Sequence, residues 1–258
     1  MSSESSLPVS GVVITLNEAA NIRRCLDSLR FCAEVLVVDS GSDDGTPGIA
    51  RSMGARVVHQ DWLGFGPQKH FAVEQAAHDW VLCLDADEWV SEALGRSIRE
   101  LLDSPPDCKA YRMPRRNILL GRALRYGGGY PDTKLRLFDR RHARWNQAMV
   151  HEQVETSAEV GLIEADLMHE TAPDLPAAMA KWARYAAMQA AAMHASGKRS
   201  GWHRILFSPP ARFLKQYVVQ QGFRDGLAGF AMAAFSSYFC FFKYLELWRL
   251  QSPGDPEG

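Results

Sequence analysis

Hydrophobic and polar segments alternate along residues 9–103 in a regular order that few folds accommodate. Short apolar runs have the length of strands, and the stretches between them show the three-and-four spacing of amphipathic helices. Strands that alternate with helices predict a parallel sheet with right-handed crossovers and helices on its faces. We therefore expect an α/β fold with a doubly wound, mostly parallel sheet. The predicted strands are residues 12–16, 35–38, 55–58 and 80–84, and the predicted helices are residues 22–29, 47–53 and 66–77.

Beyond residue 103 the alternation gives way to a less regular pattern. Residues 110–115 and 134–138 predict two further strands, separated by a glycine-rich loop at residues 119–132. A helix rich in alanine and methionine is predicted at residues 175–194. We expect four parts: a disordered N-terminus at 1–8, a main α/β domain at 9–170, a helical C-terminal region at 171–250 and a tail at 251–258.

The helical region contains an uncharged aromatic stretch at residues 227–242. It is short for a membrane-spanning helix, which needs about twenty apolar residues. Cations flank the stretch at Lys215, Arg224, Lys243 and Arg249. Aromatic side chains beside cations are typical of helices that lie on a membrane surface, whereas a buried helix or a dimer contact is the alternative. We expect peripheral contact with a membrane.

Composition argues against several classes of protein. The formal net charge of −1 lacks the basic excess that nucleic-acid binding usually needs, so no nucleic-acid partner is expected. The five cysteines are odd in number and contain no C-x-x-C pair, which argues against a disulfide framework or a zinc site and favours a reducing cytoplasm. The N-terminus shows neither the basic region nor the apolar core of a signal peptide.

Three carboxylates, Asp85, Asp87 and Glu88, directly follow the fourth predicted strand. Unpaired negative charge is costly at the edge of a buried sheet, so these groups need a partner. Oxygen ligands in such a position suit Mg²⁺ or Mn²⁺, which usually brings a substrate phosphate with it. The alternative is that Asp85 and Asp87 only cap the helix that begins near Ser91.

Polar side chains also follow the first and second predicted strands. The carboxyl ends of parallel strands share one edge of a sheet, and ligands bind at that edge in such folds. Oxygens at three separate strand ends are harder to explain as helix caps than one pair of aspartates is. We therefore expect one ligand site formed by Thr15, Asn17, Glu18, Asp39, Asp85 and Asp87.

Three segments at these strand ends resemble a known family. They read VITLNEAANI at residues 13–22, VVDSGSDDGT at residues 37–46 and LDADE at residues 84–88. In order and spacing they resemble the family 2 glycosyltransferases of the GT-A fold, most closely the lipopolysaccharide-core enzymes. The resemblance covers residues 9–155. It implies a Rossmann-like GT-A sheet flanked by helices, with an α-helical C-terminal extension.

A more restricted match lies in the helical region, where GFRDGLAGF at residues 222–230 is similar to the C-terminal signature of the lipopolysaccharide-core subgroup. The resemblance implies an inverting glycosyltransferase that moves a hexose from a nucleotide-sugar donor, expected to be UDP-linked, to a lipopolysaccharide-core or similar cell-envelope glycan. It also implies a divalent cation, Mg²⁺ or Mn²⁺, because a bound ion stabilises the negative charge that develops on the leaving diphosphate.

The same resemblance implies a role for each residue of the donor site. Thr15, Asn17 and Glu18 match positions that line the nucleotide pocket. Asp39 matches a position that hydrogen-bonds the base, and Lys69 matches a basic position near the donor phosphates.

The implied metal site centres on the Asp-x-Asp segment. Asp87 matches the direct metal ligand, and Asp85 matches the aspartate near the ribose and the metal. His151 is a candidate nitrogen ligand, and His169 has a similar but weaker claim. The alternative for either histidine is a hydrogen-bonded structural role.

An inverting displacement needs a base on the face opposite the leaving group, to deprotonate the acceptor hydroxyl. Glu152 lies where the subgroup often carries a His-Glu pair, and it is the favoured catalytic base. Asp132, which follows the glycine-rich loop, is the second candidate.

Basic residues crowd the segment between residues 112 and 144. In a GT-A enzyme this segment faces the acceptor, and the arginine fork suits phosphate and carboxylate oxygens. We therefore expect an anionic glycan or glycolipid acceptor, and a cytoplasmic location at the inner face of the inner membrane. A solvated strand face is the alternative. The cations expected to face the acceptor are Arg115, Arg116, Arg125, Lys134 and Arg136.

Three other functions fit part of the pattern. A transferase of the same fold that acts on a polyprenyl phosphate would need little base catalysis, because its acceptor is already anionic. A haloacid-dehalogenase-like phosphatase also carries Asp-x-Asp, but there the motif normally closes the first strand rather than the fourth. A non-catalytic binding module is the third alternative, and carboxylates at three strand ends argue against it.

Overall fold

The computed structural model describes residues 6–148, 152–172 and 174–251. The chain divides into two compact units. The first unit contains residues 1–115 and 132–169, and the second contains residues 116–131 and 170–258. This division differs from the expected domain of residues 9–170 mainly at the loop 116–131, which belongs to the second unit.

The first half of the chain alternates strands and helices in the predicted order. Its elements are β1 (Leu7–Thr15), α1 (Ile22–Ser28), β2 (Cys32–Asp39), α2 (Thr46–Ser52), β3 (Arg56–His59), α3 (Phe65–Glu74), β4 (Trp80–Asp85), β5 (Glu88–Val90) and α4 (Glu92–Leu102). Strands alone follow, namely β6 (Ala110–Leu119), β7 (Arg122–Ala123), β8 (Asp132–Asp139), β9 (Ala143–Trp145), β10 (Val154–Thr156), β11 (Val160–Leu162) and β12 (Leu167–Ala172).

The main sheet is mixed, with its strands in the order β3-β2-β1-β4-β8-β6-β12-β5. The four strands β3, β2, β1 and β4 are parallel to one another. In this half Thr15 pairs with Asp39 and Ile14 pairs with Asp85. The ends of β1, β2 and β4 therefore meet at one edge of the sheet, as the sequence predicted.

Beyond β4 the sheet departs from the doubly wound parallel arrangement. β8 pairs antiparallel with both β4 and β6, with Leu137 opposite Leu82 on one side and Tyr111 on the other. Because β6 and β8 are joined by a loop rather than by a crossover helix, they lie antiparallel. β5 and β12 also pair antiparallel, and His169 lies opposite Glu88.

Strands β1, β2 and β4 are largely buried on both faces, which explains their near-continuous apolar sequence. Val13 and Val37 belong to the cluster on one face, and Leu36 and Val38 belong to the cluster on the other. None of these four side chains is exposed. The sheet therefore holds its strand ends on a rigid scaffold.

The N-terminal boundary of the sheet lies earlier than the sequence indicated. β1 begins at Leu7, whose backbone N–H donates to the carbonyl of Phe31 at 2.8 Å. Residues 7 and 8 are thus part of the sheet and not of a disordered N-terminus. The strand also ends at Thr15, so Leu16 lies beyond it and is exposed.

The helix after the Asp-x-Asp segment is capped by serine, not by aspartate. The Ser91 hydroxyl accepts a hydrogen bond from the backbone N–H of Leu94 at 3.2 Å. Three residues of β5 separate this cap from Asp87. The interpretation of Asp85 and Asp87 as helix caps is therefore wrong.

The second unit is mainly helical, as expected for the C-terminal extension. It contains α5 (Leu175–Ala195), α6 (Trp202–Leu214), a π-helical turn (Lys215–Val219), a 3-10 turn (Gly222–Asp225) and α7 (Gly226–Gln251). The sequence pattern does not predict α6, because Pro209 and Pro210 interrupt it and normally break a helix. The small core of this unit includes Phe235, which makes an edge contact with Trp182 at 4.8 Å between ring centroids.

The signature at residues 222–230 fixes the glycine-rich loop within the second unit. The Asp225 carboxylate accepts hydrogen bonds from the backbone N–H groups of Arg125 at 2.9 Å and Tyr126 at 2.8 Å. Gly229 is required in this segment, because a Cβ there would overlap the carbonyl oxygen of Gly222. The signature therefore has a structural explanation, which is the positioning of the loop between β7 and β8.

In the part of the chain that the structure describes, one helical segment, Gly222–Gln251, is long and apolar enough to cross a membrane by length and composition alone, with a mean hydropathy of 1.2. It includes the uncharged stretch at residues 227–242, which is only the first part of the much longer α7. Core helices of soluble proteins can have the same length and composition.

Candidate active site

The ends of β1 and β2 carry two loops that hydrogen bonds tie together. The Asp39 carboxylate accepts from the Thr15 hydroxyl at 2.9 Å and from the backbone N–H groups of Gly41 at 3.0 Å and Ser42 at 2.9 Å. Burial alone would raise the pKa of Asp39, but hydrogen bonds from Ser42 and Thr15 outweigh it and lower the pKa. Asp39 therefore orders the loop in its ionised form.

Asn17 and Glu18 lie in the loop after β1, and both form hydrogen bonds with the segment that follows β2. The Asn17 side-chain oxygen accepts from the backbone N–H of Asp43 at 3.0 Å, and the Glu18 backbone N–H donates to the Thr46 hydroxyl at 2.9 Å. Asn17 has a positive φ of 57°, a conformation that asparagine tolerates better than most residues. The four predicted donor-site residues of β1 and β2 are thus brought together.

Lys69 lies in α3 and joins two of the other predicted residues. Its ammonium lies 2.8 Å from Asp85 Oδ1 and 2.7 Å from Glu152 Oε1, and its side chain is only 4% exposed. Burial alone would lower the pKa of Lys69, but the charge of Asp85 outweighs this effect and raises the pKa. Lys69 is therefore a fixed cation between two carboxylates.

Arg136 in β8 contacts the second carboxylate oxygen of Asp85. Its Nη2 lies 2.8 Å from Asp85 Oδ2 and 2.8 Å from Glu88 Oε1. Glu88 is completely buried. Burial alone would raise the pKa of Asp85, but the charges of Lys69 and Arg136 hold that pKa well below its usual range.

The ion pairs continue from Glu88 to β6 and the start of β8. Arg115 Nη1 lies 3.0 Å from Glu88 Oε1, and its Nη2 lies 2.6 Å from Asp132 Oδ2. Lys134 Nζ lies 3.0 Å from Asp132 Oδ1. Four carboxylates and four cations thus alternate in one series of contacts, which we name the strand-end ion network. In order, its members are Glu152, Lys69, Asp85, Arg136, Glu88, Arg115, Asp132 and Lys134.

The network corrects the expectation for part of the basic segment. Arg115, Lys134 and Arg136 do not form an open acceptor-facing surface, because each pairs with a carboxylate of the first unit. Arg116 and Arg125 fall in the second unit. The sequence pattern assigned neither Glu88 nor Arg136 to the donor site, although the alternation in residues 134–138 placed Arg136 on one face of a strand.

Asp87 has different surroundings from Asp85. Its Oδ2 lies 3.4 Å from Nε2 of His169, which the antiparallel pairing of β5 and β12 brings opposite. Both side chains are partly accessible, at 15% for Asp87 and 13% for His169. His151 lies outside the described residues. The pairing of β5 with β12, which no local signal predicts, brings His169 next to the Asp-x-Asp segment.

The donor set at Asp87 fits a divalent cation whose coordination a substrate completes. No cluster of three or more histidine, cysteine, aspartate or glutamate side chains that could hold an ion occurs among the described residues. Mg²⁺ in enzymes is commonly held by one or two carboxylates together with substrate phosphates and water. Asp87 and His169 supply an oxygen and a nitrogen ligand, whereas both oxygens of Asp85 already contact cations.

Gly66 controls how α3 approaches the segment that leads to Glu152. Its backbone N–H donates to the Ala148 carbonyl at 3.1 Å. A Cβ at Gly66 would lie 2.7 Å from that carbonyl oxygen and would overlap the carbonyl of Asn146. A glycine at this position therefore lets Lys69, one turn further along α3, reach Glu152.

We expect Gly66→Ala to lower the free energy of unfolding by about 1–3 kcal/mol, because backbone atoms must move to admit the methyl group. Chemical denaturation measures this change. Gly95→Ala in α4 is the matched control, since its Cβ would meet only Val90 Cγ1 at 3.8 Å. The control should be neutral or more stable by up to about 1 kcal/mol. Equal stability of the two variants would contradict the close approach at Gly66.

Comparisons with known proteins agree with this geometry. The sequence profile described as Glycosyl transferase family 2 matches residues 10–154. The lipopolysaccharide core biosynthesis glycosyltransferase LpsC of Rhizobium meliloti (strain 1021) is 32% identical over 250 residues, which cover 94% of this chain and 93% of that protein. An uncharacterized glycosyltransferase of Rickettsia felis is 28% identical over 94% of this chain and 89% of its own length.

Among solved structures, residues 1–349 of S. aureus TarS align with a TM-score of 0.49 and 14% identity, covering 96% of this chain and 91% of that one. Glucosyl-3-phosphoglycerate synthase of Mycobacterium tuberculosis, solved with Mn²⁺ and UDP, aligns over 43% of this chain and 44% of its own, with 24% identity and a TM-score of 0.34. The family profile spans more than half of the chain, and its segments are those that carry the strand-end residues. The chain therefore has the GT-A fold and belongs to glycosyl transferase family 2, as a homologue of enzymes of lipopolysaccharide core biosynthesis.

Proposed function

We propose that this glycosyltransferase moves a hexose, with inversion, from a UDP-linked donor to a hydroxyl of a lipopolysaccharide-core or similar envelope glycan. The observation that carries the proposal is the position of Lys69, whose ammonium contacts both Asp85 and Glu152 at the ends of the parallel strands. A nucleotide-sugar transferase needs a cation for the donor and a carboxylate for the acceptor at one such edge. The acceptor class is supported by similarity to LpsC.

In this proposal the loops after β1 and β2 bind the nucleotide. Asp39 orders its loop through its hydrogen bonds with Thr15, Gly41 and Ser42. Those bonds use both carboxylate oxygens, so Asp39 shapes the base pocket by holding its loop in place. In this proposal Asp39 also contacts the base. Asn17 and Glu18 line the same pocket from the loop after β1.

Asp87 and His169 would hold Mg²⁺ or Mn²⁺, with Asp85 next to the ribose and fixed by Lys69 and Arg136. When bound, the ion stabilises negative charge on the leaving diphosphate. In this proposal the Lys69 ammonium supplies further positive charge near the same diphosphate. The two aspartates of the motif would then have separate roles, one as a ligand and one as a member of the strand-end ion network.

Glu152 is the proposed base for the acceptor hydroxyl. Only its Oε1 has a partner within the described part of the chain, and its side chain is 20% exposed. Asp132, the second candidate, uses both oxygens in contacts with Arg115 and Lys134. Burial alone would raise the pKa of Asp132, but the Arg115 charge outweighs it and lowers the pKa, which makes Asp132 a weaker proton acceptor.

We further propose that the protein works at the cytoplasmic face of the inner membrane, because a core glycan acceptor of this class is carried by a lipid. The helical second unit is the part that would contact the membrane. Its aromatic residues and its cations at Lys215, Arg224, Lys243 and Arg249 support this location.

Calorimetric titration with UDP-, GDP- and CDP-sugars, with and without Mn²⁺, tests the proposed function. We expect one nucleotide class to bind in a metal-dependent manner. Asp87→Ala should weaken that binding at least about tenfold, because losing even an outer-shell partner of a bound metal has an effect of that size. Asp61→Ala is the matched control, since Asp61 is 92% exposed and pairs with the exposed His59.

Two outcomes would count against the proposal. Folded protein that binds no nucleotide sugar, with or without metal, would contradict donor binding. Equal binding by Asp87→Ala and the wild type would contradict the role of Asp87 while leaving donor binding intact.

A further inference from the structure

The second unit exposes large hydrophobic side chains over α6, the π-helical turn after it and α7. Among the described residues, twelve of the nineteen exposed large hydrophobic side chains lie between residues 202 and 248. We name this surface the α6–α7 face. Its most exposed members include Leu227, Val219, Trp202 and Phe207, which are between 60% and 80% exposed.

A groove between α6 and α7 opens on this face. Its volume is about 500 Å³, and it is lined by Ile205, Leu206, Pro209, Phe213, Tyr238 and Phe241. Ser237, also in the lining, already donates its hydroxyl to the Pro209 carbonyl at 2.9 Å. The groove therefore offers apolar surface with little capacity for specific hydrogen bonds, which suits a hydrocarbon chain.

Cations are strongly enriched on the same elements. Residues 202–251 contain six lysine and arginine residues but only two carboxylates. Asp225 is used by the loop N–H groups of Arg125 and Tyr126, and Glu246 pairs with Arg249 at 2.6 Å. The excess positive charge of the α6–α7 face is therefore not neutralised within these elements.

The cations and the apolar residues occupy neighbouring stripes along α6. Phe207 and Leu214 are both exposed and lie seven residues apart, on one side of the helix. Arg204 and Lys215 are eleven residues apart, about three turns, and form an adjacent stripe that Arg212 joins. An apolar stripe beside a cationic stripe is the pattern of a helix that lies in the plane of a membrane surface.

We infer that the α6–α7 face docks on a bilayer that contains anionic phospholipid. The exposed aromatic and aliphatic side chains enter the acyl boundary, the groove receives a lipid chain, and the cations meet the phosphates. The inference rests on the proposed function in one respect: docking brings the protein to a lipid-linked acceptor.

Two other arrangements of this surface fit less well. A second copy of the chain would bring two positively charged faces together, which like-charge repulsion opposes. A membrane-spanning α7 would have to include charged residues at one end, Arg224 with Asp225 or Lys243 with Glu246, because the uncharged stretch at residues 227–242 is shorter than a span of about twenty residues. One side of α7 is also already covered by α5, through the contact of Phe235 with Trp182.

Flotation of the full chain with vesicles tests the inference. We expect binding to vesicles of phosphatidylcholine with phosphatidylglycerol, weaker binding to phosphatidylcholine alone, and release at high salt. Arg212→Gln with Lys215→Gln should reduce binding about 30-fold, since each cation near an anionic surface contributes roughly a factor of five. Arg23→Gln with Arg51→Gln removes the same charge from exposed positions of the first unit and is the matched control.

Leu206→Ser tests the apolar contribution and should reduce vesicle binding about tenfold. Leu162→Ser is its control, because both leucines are 59% exposed and Leu162 belongs to the first unit. Circular dichroism and nucleotide-sugar titration establish that each variant is folded.

Three outcomes would overturn the inference. They are equal binding to neutral and anionic vesicles, equal losses in the variants and their controls, and a dimer in sedimentation analysis that Leu206→Ser dissociates. Wild-type protein that binds nucleotide sugar but no vesicle would overturn the docking inference and the proposed membrane location, and would leave the proposed glycosyl transfer standing. Vesicle binding without nucleotide-sugar binding would overturn only the proposed function.

Discussion

Replacing Arg136 with methionine is expected to lower the free energy of unfolding by about 3–5 kcal/mol, the cost of breaking a buried ion pair from one side. Arg136 is 4% exposed and contacts Asp85 and Glu88, each at 2.8 Å. Without it, the completely buried Glu88 keeps the Arg115 guanidinium as its charged partner within the strand-end ion network. Urea denaturation with an unchanged m-value measures the loss.

Two further variants make this result specific. Arg30→Met removes an exposed arginine that pairs with the exposed Asp27, and it should change stability by about 1 kcal/mol or less. Glu88→Gln combined with Arg136→Met should recover part of the loss, because the buried side chain at position 88 is then neutral and no longer lacks one of its two cations. A double variant less stable than Arg136→Met would show that Glu88 is stabilised by contacts other than the charge of Arg136.

The parallel half of the fold could be predicted because each of its strands is marked by residues within the strand or directly after it. Apolar runs mark β1, β2 and β4, and polar residues mark the points where they end. Parallel pairing alone then brings Thr15, Asp39 and Asp85 to one edge, since strand ends in such a sheet share a side.

The antiparallel half could not be predicted in the same way, because its partners are distant in sequence. Nothing near His169 indicates that it lies opposite Glu88, and nothing near Arg136 indicates that it neutralises Asp85. The alternation of charged and apolar residues in β8 correctly predicted a strand. It could not distinguish a solvated arginine from one buried against carboxylates.

The strand-end ion network explains why so many charges can sit at the edge of a buried sheet. A carboxylate taken out of water is stable only when cations and hydrogen bonds replace its hydration. Each member from Lys69 to Asp132 touches opposite charges on two sides, so no carboxylate of the network is left alone. The network therefore fixes the two neighbouring positions at which we place chemistry, the donor phosphates near Lys69 and the base at Glu152.

Glu152→Gln is expected to lower kcat by about 10²–10⁴-fold, the usual contribution of a general base, and to leave nucleotide-sugar affinity nearly unchanged. The amide oxygen can still accept the hydrogen bond that the Lys69 ammonium donates to Glu152 Oε1 at 2.7 Å. The amide cannot, however, take a proton from the hydroxyl of the sugar acceptor. Turnover of the donor identified by titration, with a detergent extract of envelope glycolipid as acceptor, measures the effect.

Two carboxyl-to-amide variants decide how this result is interpreted. Glu155→Gln, three residues away on the exposed side of β10, should retain wild-type turnover. Asp132→Asn should lower the free energy of unfolding, because it removes the charge that pairs with Arg115 and Lys134. The folded variant should nevertheless retain most of the wild-type turnover. A large loss in Asp132→Asn with little loss in Glu152→Gln would assign the base to Asp132. Full turnover in both would favour an acceptor that is already anionic, such as a polyprenyl phosphate, because such an acceptor needs no base.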